Sequence, residues 1–122
     1  MLDIDNFKKI NDTKGHLFGD EVLQAFAQIL VKNTRKSDIV GRFGGEEFVV
    51  VYFDLDEKKA KEKAEHIRLE FEALSQHFEY PLSVSIGMTN KREGDTLSTL
   101  LERSDEALYF SKRNGKNRVS YL

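Results

Sequence analysis

Two β-rich runs, Ile39 to Phe43 and Phe48 to Phe53, are separated only by Gly44-Gly45-Glu46-Glu47. That spacing constrains the fold more than any other feature. Two extended segments joined by so short a glycine-bearing link must turn back on one another, so the middle of the chain is a β-hairpin. An isolated hairpin is barely stable in water and needs partners against its apolar face. Upstream, Phe7 and Ile10 mark a short helix that Asp5 caps and that ends near Gly15. Val22, Leu23, Phe26, Ile29 and Leu30 recur at three and four residues, which predicts a longer helix beginning near Asp20. Downstream, Asp54 or Asp56 caps a third helix with Ala60, Ala64, Ile67, Phe71 and Leu74 on one stripe. Leu82, Val84, Ile86 and Met88 alternate as in a half-buried strand over 82–90. Thr96 opens a fourth helix with Leu97, Leu100, Leu101, Ala107 and Leu108 facing inward and Gly115 at its C-terminal end. Residues 117–122 are expected to add an edge strand, and Met1 to Asp5 read as the end of another.

Strand, two helices, hairpin, helix, strand, helix, strand is the order of an α/β (α+β) domain, a mixed sheet with helices packed on it. With 122 residues there is room for one core and not two. The formal charge of -2 argues against nucleic-acid coating, whose domains are usually strongly basic. The chain has no cysteine, which excludes disulfide frameworks, thiolate metal sites and cysteine nucleophiles and fits a cytoplasmic setting. No apolar run approaches the ~18–20 residues of a membrane span. Acidic residues follow Met1 at once, unlike a secretory leader.

The hairpin tip carries the chemical signal. Two glycines bare the backbone for close approach of a bulky anion, and two acidic residues follow them. Turn tips of this composition usually do nothing more than turn. Asp3 alters that balance: placed beside Glu46, it would complete a pair of hard oxygen ligands suited to magnesium, which substrate phosphates and water then complete.

The segments MLDIDNFKKINDTKGHLFGDEVL, GRFGGEEF, SIGMT and RSDEALYFSKRNGKNRV occur in this order along the whole chain. Together they resemble the GGDEF domain of diguanylate cyclases, here in a GGEEF form. The resemblance implies the palm-like fold of class III nucleotide cyclases, with a mainly antiparallel sheet. It implies a nucleotidyltransferase that condenses two GTP into cyclic di-GMP with two Mg2+ or Mn2+ ions per active site. Two domains must face each other, so a homodimer is implied. By the same resemblance, Asp3, the Ile4 carbonyl and Glu46 bind metal, and Glu46 accepts the proton of the attacking hydroxyl. Lys8 stabilises the transition state, Asn11 and Asp20 bind guanine, and His16 contacts substrate. Lys112 and Lys116 hold the triphosphate. Lys116 stands where the family usually has arginine, replacing a bidentate contact with a point charge.

The residue chemistry supports part of this assignment. Asp20 only accepts hydrogen bonds, which suits the N1–H and amine of guanine, although helix capping would equally explain an aspartate there. His16 is balanced between a loop hydrogen bond and ligand contact. Lys8 reads alone as a solvated helix residue, and Lys112 and Lys116 as charges compensating a helix C-terminus. Arg35 and Asp38 match the RxxD motif that binds product as an inhibitor in this family. His66 stands where a second arginine often completes that site. The family also has a further helix and a DxLTxLxNR-like segment before this point, so the chain is expected to be a single GGDEF domain, 1–122, that lacks them and leaves apolar surface uncovered. A non-catalytic receptor for cyclic di-GMP or GTP is the alternative function, against which stands the full set of matched catalytic positions. An aspartate-based phosphatase would need a long parallel sheet that the chain is too short to supply.

Overall fold

The structure, a computed structural model, describes residues 1–122. Its elements are β1 (Leu2–Ile4), α1 (Phe7–Lys14), α2 (His16–Lys32), β2 (Ile39–Arg42), β3 (Glu47–Val51), α3 (Glu57–Phe78), β4 (Val84–Met88), α4 (Leu97–Arg113) and β5 (Val119–Tyr121). They build one five-stranded sheet in the order β2-β3-β1-β4-β5. The hairpin pairs antiparallel, β1 runs antiparallel to both β3 and β4, and β5 joins β4 in parallel. The mixed, mainly antiparallel sheet with flanking helices is the one expected from the sequence.

Alternation along the strands sorts the two faces. Leu2, Ile4, Phe48, Val84 and Ile86 enter the main core with Phe26 of α2 and Phe71 of α3. Phe26 meets Phe48 and Phe71 edge-on, with ring centroids 5.1 and 4.8 Å apart, the geometry aromatic pairs prefer. α4 covers the β4–β5 half of the opposite face through Ser104, Ala107, Leu108 and Ser111.

Helix starts fall where local hydrogen bonding places them. Asp56 accepts from Lys59 N–H at 2.8 Å and starts α3, and Thr96 forms a reciprocal capping box with Thr99 at α4. Three expectations fail here. α2 starts at His16, not near Asp20, because Gly15 (φ 90°) ends one helix and admits the next without a spacer. Asp5 does not cap α1: Asn6 occupies that position with no side-chain cap, and Asp5 is buried elsewhere. Leu97, expected inward, is 66% exposed. It lines the mouth of an apolar cavity of about 530 Å3 at the head of β1, with Val50, Val51, Met88, Leu100 and Leu101.

β4 and α4 touch backbone to backbone at Gly87. A Cβ there would overlap Leu108 N and Ser104 O, neither of which can move without breaking the helix. Gly87→Ala is therefore expected to cost at least about 2 kcal/mol in urea denaturation.

Candidate active site

Strand period sets the acidic residues. Because Leu2 and Ile4 point into the core, Asp3 and Asp5 emerge on the α4 side of the central strand. Asp3 pairs across the sheet with Glu47 of β3 and Ser85 of β4, and Ile4 N–H donates to Glu46 O at 3.2 Å. The pairing thus brings Asp3 beside the hairpin tip, the placement that the magnesium reading of the sequence requires. Phe43 N–H donates to Glu47 O at 2.8 Å, and Arg42 folds over the tip to donate to the carbonyls of Gly44 and Gly45.

The tip glycines have no explanation inside the chain. Neither Gly44 nor Gly45 adopts a positive φ. A Cβ at Gly45 would meet nothing within 4 Å, and one at Gly44 only Glu47 Cβ at 4.0 Å. Backbone conformation and packing would both tolerate alanine, which leaves room for an external molecule as the physical use of two bare positions.

Asp3 is 7% exposed, and its Oδ1 is buried with no hydrogen-bond partner. Its Oδ2 lies 3.3 Å from Lys112 Nζ, which also stands 4.0 Å from Asp5 Oδ1. Burial raises the Asp3 carboxyl from its ordinary 3.8 to about 6; Lys112 pulls it down, and Glu46 and Glu47 push it up further. An orphaned, hard, buried oxygen that also feels the charges of Glu46 and Glu47 fits a divalent cation. No cluster of three carboxylate or imidazole ligands forms. Asp3, Glu46 and the Ile4 carbonyl could supply part of a shell, of the kind magnesium completes with water and phosphate oxygens.

The remaining expected residues lie on other elements. Lys116 (φ 62°), in the loop after α4, donates from Nζ to Asn6 Oδ1 at 2.7 Å, beside the end of β1. Lys8 is exposed on the first turn of α1. Asn11 faces Gly19 where α1 meets α2, and its Oδ1 is buried without a partner. A Cβ at Gly19 would overlap that oxygen, so glycine keeps the Asn11 amide in place. His16 and Asp20 are exposed in the first turns of α2. As the fifth residue of the helix, Asp20 cannot serve as its cap, which removes the structural explanation for this carboxylate.

Sequence reasoning missed the residue that ties these parts together. Asp5, 3% exposed, accepts from Ser83 Oγ at 2.7 Å, Ser85 Oγ at 2.6 Å and Asn117 N–H at 3.0 Å. Asn117 (φ 45°) in turn accepts from Arg68 at 2.9 Å and donates to Glu72, both on α3. The signal was present in the strand period, which puts Asp5 on the same face as Asp3.

Arg35 and Asp38 meet, but as partners of one another. The Asp38 carboxylate accepts from Arg35 N–H at 2.8 Å, from the Arg35 guanidinium at 3.0 and 3.1 Å, and from Phe53 N–H at 3.2 Å. The Arg35 guanidinium holds Asp38 well below the usual carboxylate range, at about 2. The Asp38 side chain is fully covered, and its oxygens are bonded to Arg35 and Phe53 within this loop. Arg35 keeps 43% of its side chain exposed. His66 is exposed and pairs with Glu70 at 3.3 Å, while Glu70 also holds Lys32 and Asn33 at the end of α2.

Residues 1–118 match the family described as diguanylate cyclase, GGDEF domain. The chain belongs to that family. Diguanylate cyclase A of Treponema denticola is 41% identical over 124 residues, covering 98% of this GGDEF domain but 33% of that protein. The GGDEF domain of DgcB from Caulobacter crescentus, solved in complex with c-di-GMP, superposes with a TM-score of 0.92 at 34% identity, over 98% of this chain and 74% of that one. The active GGEEF domain of a Vibrio cholerae diguanylate cyclase gives 0.90 at 38% identity, over 98% and 78%. The expected family and fold are both borne out.

The Asp3 shift has a consequence for stability. The unfolded chain releases this proton near pH 4, the folded chain near 6, so between those values the native state binds more protons. Stability must then fall as pH rises through that window. In thermal melts from pH 4 to 7.5, wild type should lose stability relative to Asp3→Asn between pH 4 and 6, and the difference should level off above.

Proposed function

We propose that this GGDEF domain is a diguanylate cyclase unit that condenses two GTP into cyclic di-GMP with release of two pyrophosphates. The observation that carries the reading is the hairpin tip. Two glycines that neither conformation nor packing requires lie beside Asp3, whose buried oxygen has no partner. Asp3, Glu46 and the Ile4 carbonyl are the groups that would hold Mg2+ or Mn2+. When bound, such ions acidify the attacking hydroxyl and neutralise the leaving pyrophosphate. Lys112 and Lys116 stand within reach of the same strand end and would grip the triphosphate, with Lys8 supporting the transition state. Asn11 and Asp20 would read guanine, with His16 against the substrate. Glu46 would take the proton of the 3′-hydroxyl as it attacks the α-phosphate of the GTP held by the facing domain. One domain supplies half of that reaction, so the working unit is a homodimer, placed in the cytoplasm where GTP is available. Cyclic di-GMP would return to Arg35, with Asp38 orienting the guanidinium for bidentate contact with guanine or phosphate.

Incubation with GTP and magnesium, with products identified by mass, tests the reading directly. Glu46→Gln should abolish turnover while leaving the melting temperature unchanged, and turnover within a few-fold of wild type would remove Glu46 from the site. Gly45→Ala separates fold from function at one atom. Its stability should stay within about 0.5 kcal/mol of wild type, while GTP turnover is lost because the new methyl group stands where the nucleotide must lie. Asp20→Ser should raise the acceptance of ATP relative to GTP, since sites built on such hydrogen bonds discriminate by ~10⁴ or more. An unchanged preference would remove Asp20 from base recognition.

A further inference from the structure

We propose that Lys112 is the resident counter-cation of Asp3, exchanged onto the substrate's triphosphate before a divalent ion can settle on that carboxylate. Metal and nucleotide would then bind as a coupled pair. The inference deepens the cyclase reading and rests on Asp3 as a metal ligand.

Lys112 Nζ stands 3.3 Å from Asp3 Oδ2 and 4.0 Å from Asp5 Oδ1, so one ammonium is shared by two buried carboxylates. These are its only ion pairs. A divalent ion on Asp3 would lie within a few ångströms of that ammonium, and two cations so close in a partly desolvated site repel strongly. The site therefore takes one or the other. Lys112 is free to make the exchange. Its side chain is 30% exposed, and α4 is anchored to β4 by Ser104, Ala107, Leu108 and Ser111, none of which depends on where the ammonium sits. A four-carbon stem with a compact charged end can swing from a carboxylate to a phosphate without moving the helix.

Lys116 makes the contrast. Its Nζ is held by the neutral Asn6 amide oxygen, so recruiting it to phosphate strands no anion. Recruiting Lys112 leaves Asp3 without its cation beside an already orphaned Oδ1. Asp3 then needs a new positive charge, and the ion arriving with the nucleotide supplies it. By linkage, whatever draws Lys112 away raises metal affinity, and bound metal in turn favours the anion that holds Lys112.

The test is Mn2+ binding without nucleotide, followed by electron paramagnetic resonance at pH 8 on the full chain. Wild type, Lys112→Met, Lys112→Gln and Asp3→Asn are compared, with circular dichroism reporting their folding. Lys112→Met and Lys112→Gln should bind Mn2+ roughly tenfold or more tightly than wild type, because a competing charge has gone. Asp3→Asn should bind it more weakly. Equal or weaker binding in both lysine variants, with Asp3→Asn still defective, overturns the exchange and leaves the metal site standing. Binding that Asp3→Asn does not change, or no binding in any of the four, overturns the metal reading and the exchange with it.

Discussion

The Asp5 carboxylate accepts hydrogen bonds from Ser83 Oγ, Ser85 Oγ and Asn117 N–H, and the geometry of the candidate site depends on that buried anion. It joins three pieces far apart in the chain: the central strand, the start of β4 and the loop that carries Lys116. Each bond is charge-assisted, and leaving any donor unpaired at this depth would cost more than a surface bond is worth. Through Asn117 the network reaches Arg68 and Glu72, so α3 is drawn in as well. Asp3 lies two residues before this anchor, on the strand that ends at Ile4, and faces the same side. Its position relative to Lys112 and Lys116 is therefore fixed by the fold rather than by the mutual attraction of the site's own charges.

Much of this was legible in the sequence wherever a local rule decides the outcome. The hairpin, the cap at Thr96, a cap at Asp54 or Asp56 and the apolar stripe of α3 follow from turn chemistry and periodicity, and the structure has them, with Asp56 as the cap. What escaped depends on contacts between distant residues. An aspartate before a helix reads as a cap, and nothing within ten residues of Asp5 announces that Ser83, Ser85 and Asn117 will surround it. The start of α2 was misplaced because one backbone angle, at Gly15, outweighs the preference of Asp20 for a cap position. Leu97 read as core because periodicity reports which face of a helix is apolar, not whether something covers that face. The RxxD pair was found by its spacing, but spacing is silent on Asp38 spending its oxygens on Arg35 and Phe53.

The glycines divide along the same line. At Gly87 and Gly19 a side chain would collide with atoms of this chain, so the fold itself accounts for them. At Gly44 and Gly45 it would not, and no left-handed angle demands them either. A sequence displays all four as the same letter. Only the structure separates a glycine that the fold consumes from one that the fold leaves unexplained, and the unexplained pair sits beside the orphaned oxygen of Asp3.

Rigid and mobile parts are also divided by charge. Asp3 lies on the central strand, paired on both sides, and Asp5 follows its end, tied by its N–H to Ser83 O at 2.9 Å, so neither can follow a ligand that arrives out of place. The cations that face them end long stems, on Lys112 in the last turn of α4 and on Lys116 in the loop beyond. On the proposed cyclase reading, such a site would fix where metal and reacting atoms stand and let the lysines adjust to the triphosphate. The proposed transfer between two facing domains would use this division: each fixed carboxylate centre would meet a nucleotide positioned partly by the other domain, and the lysine stems would take up the difference.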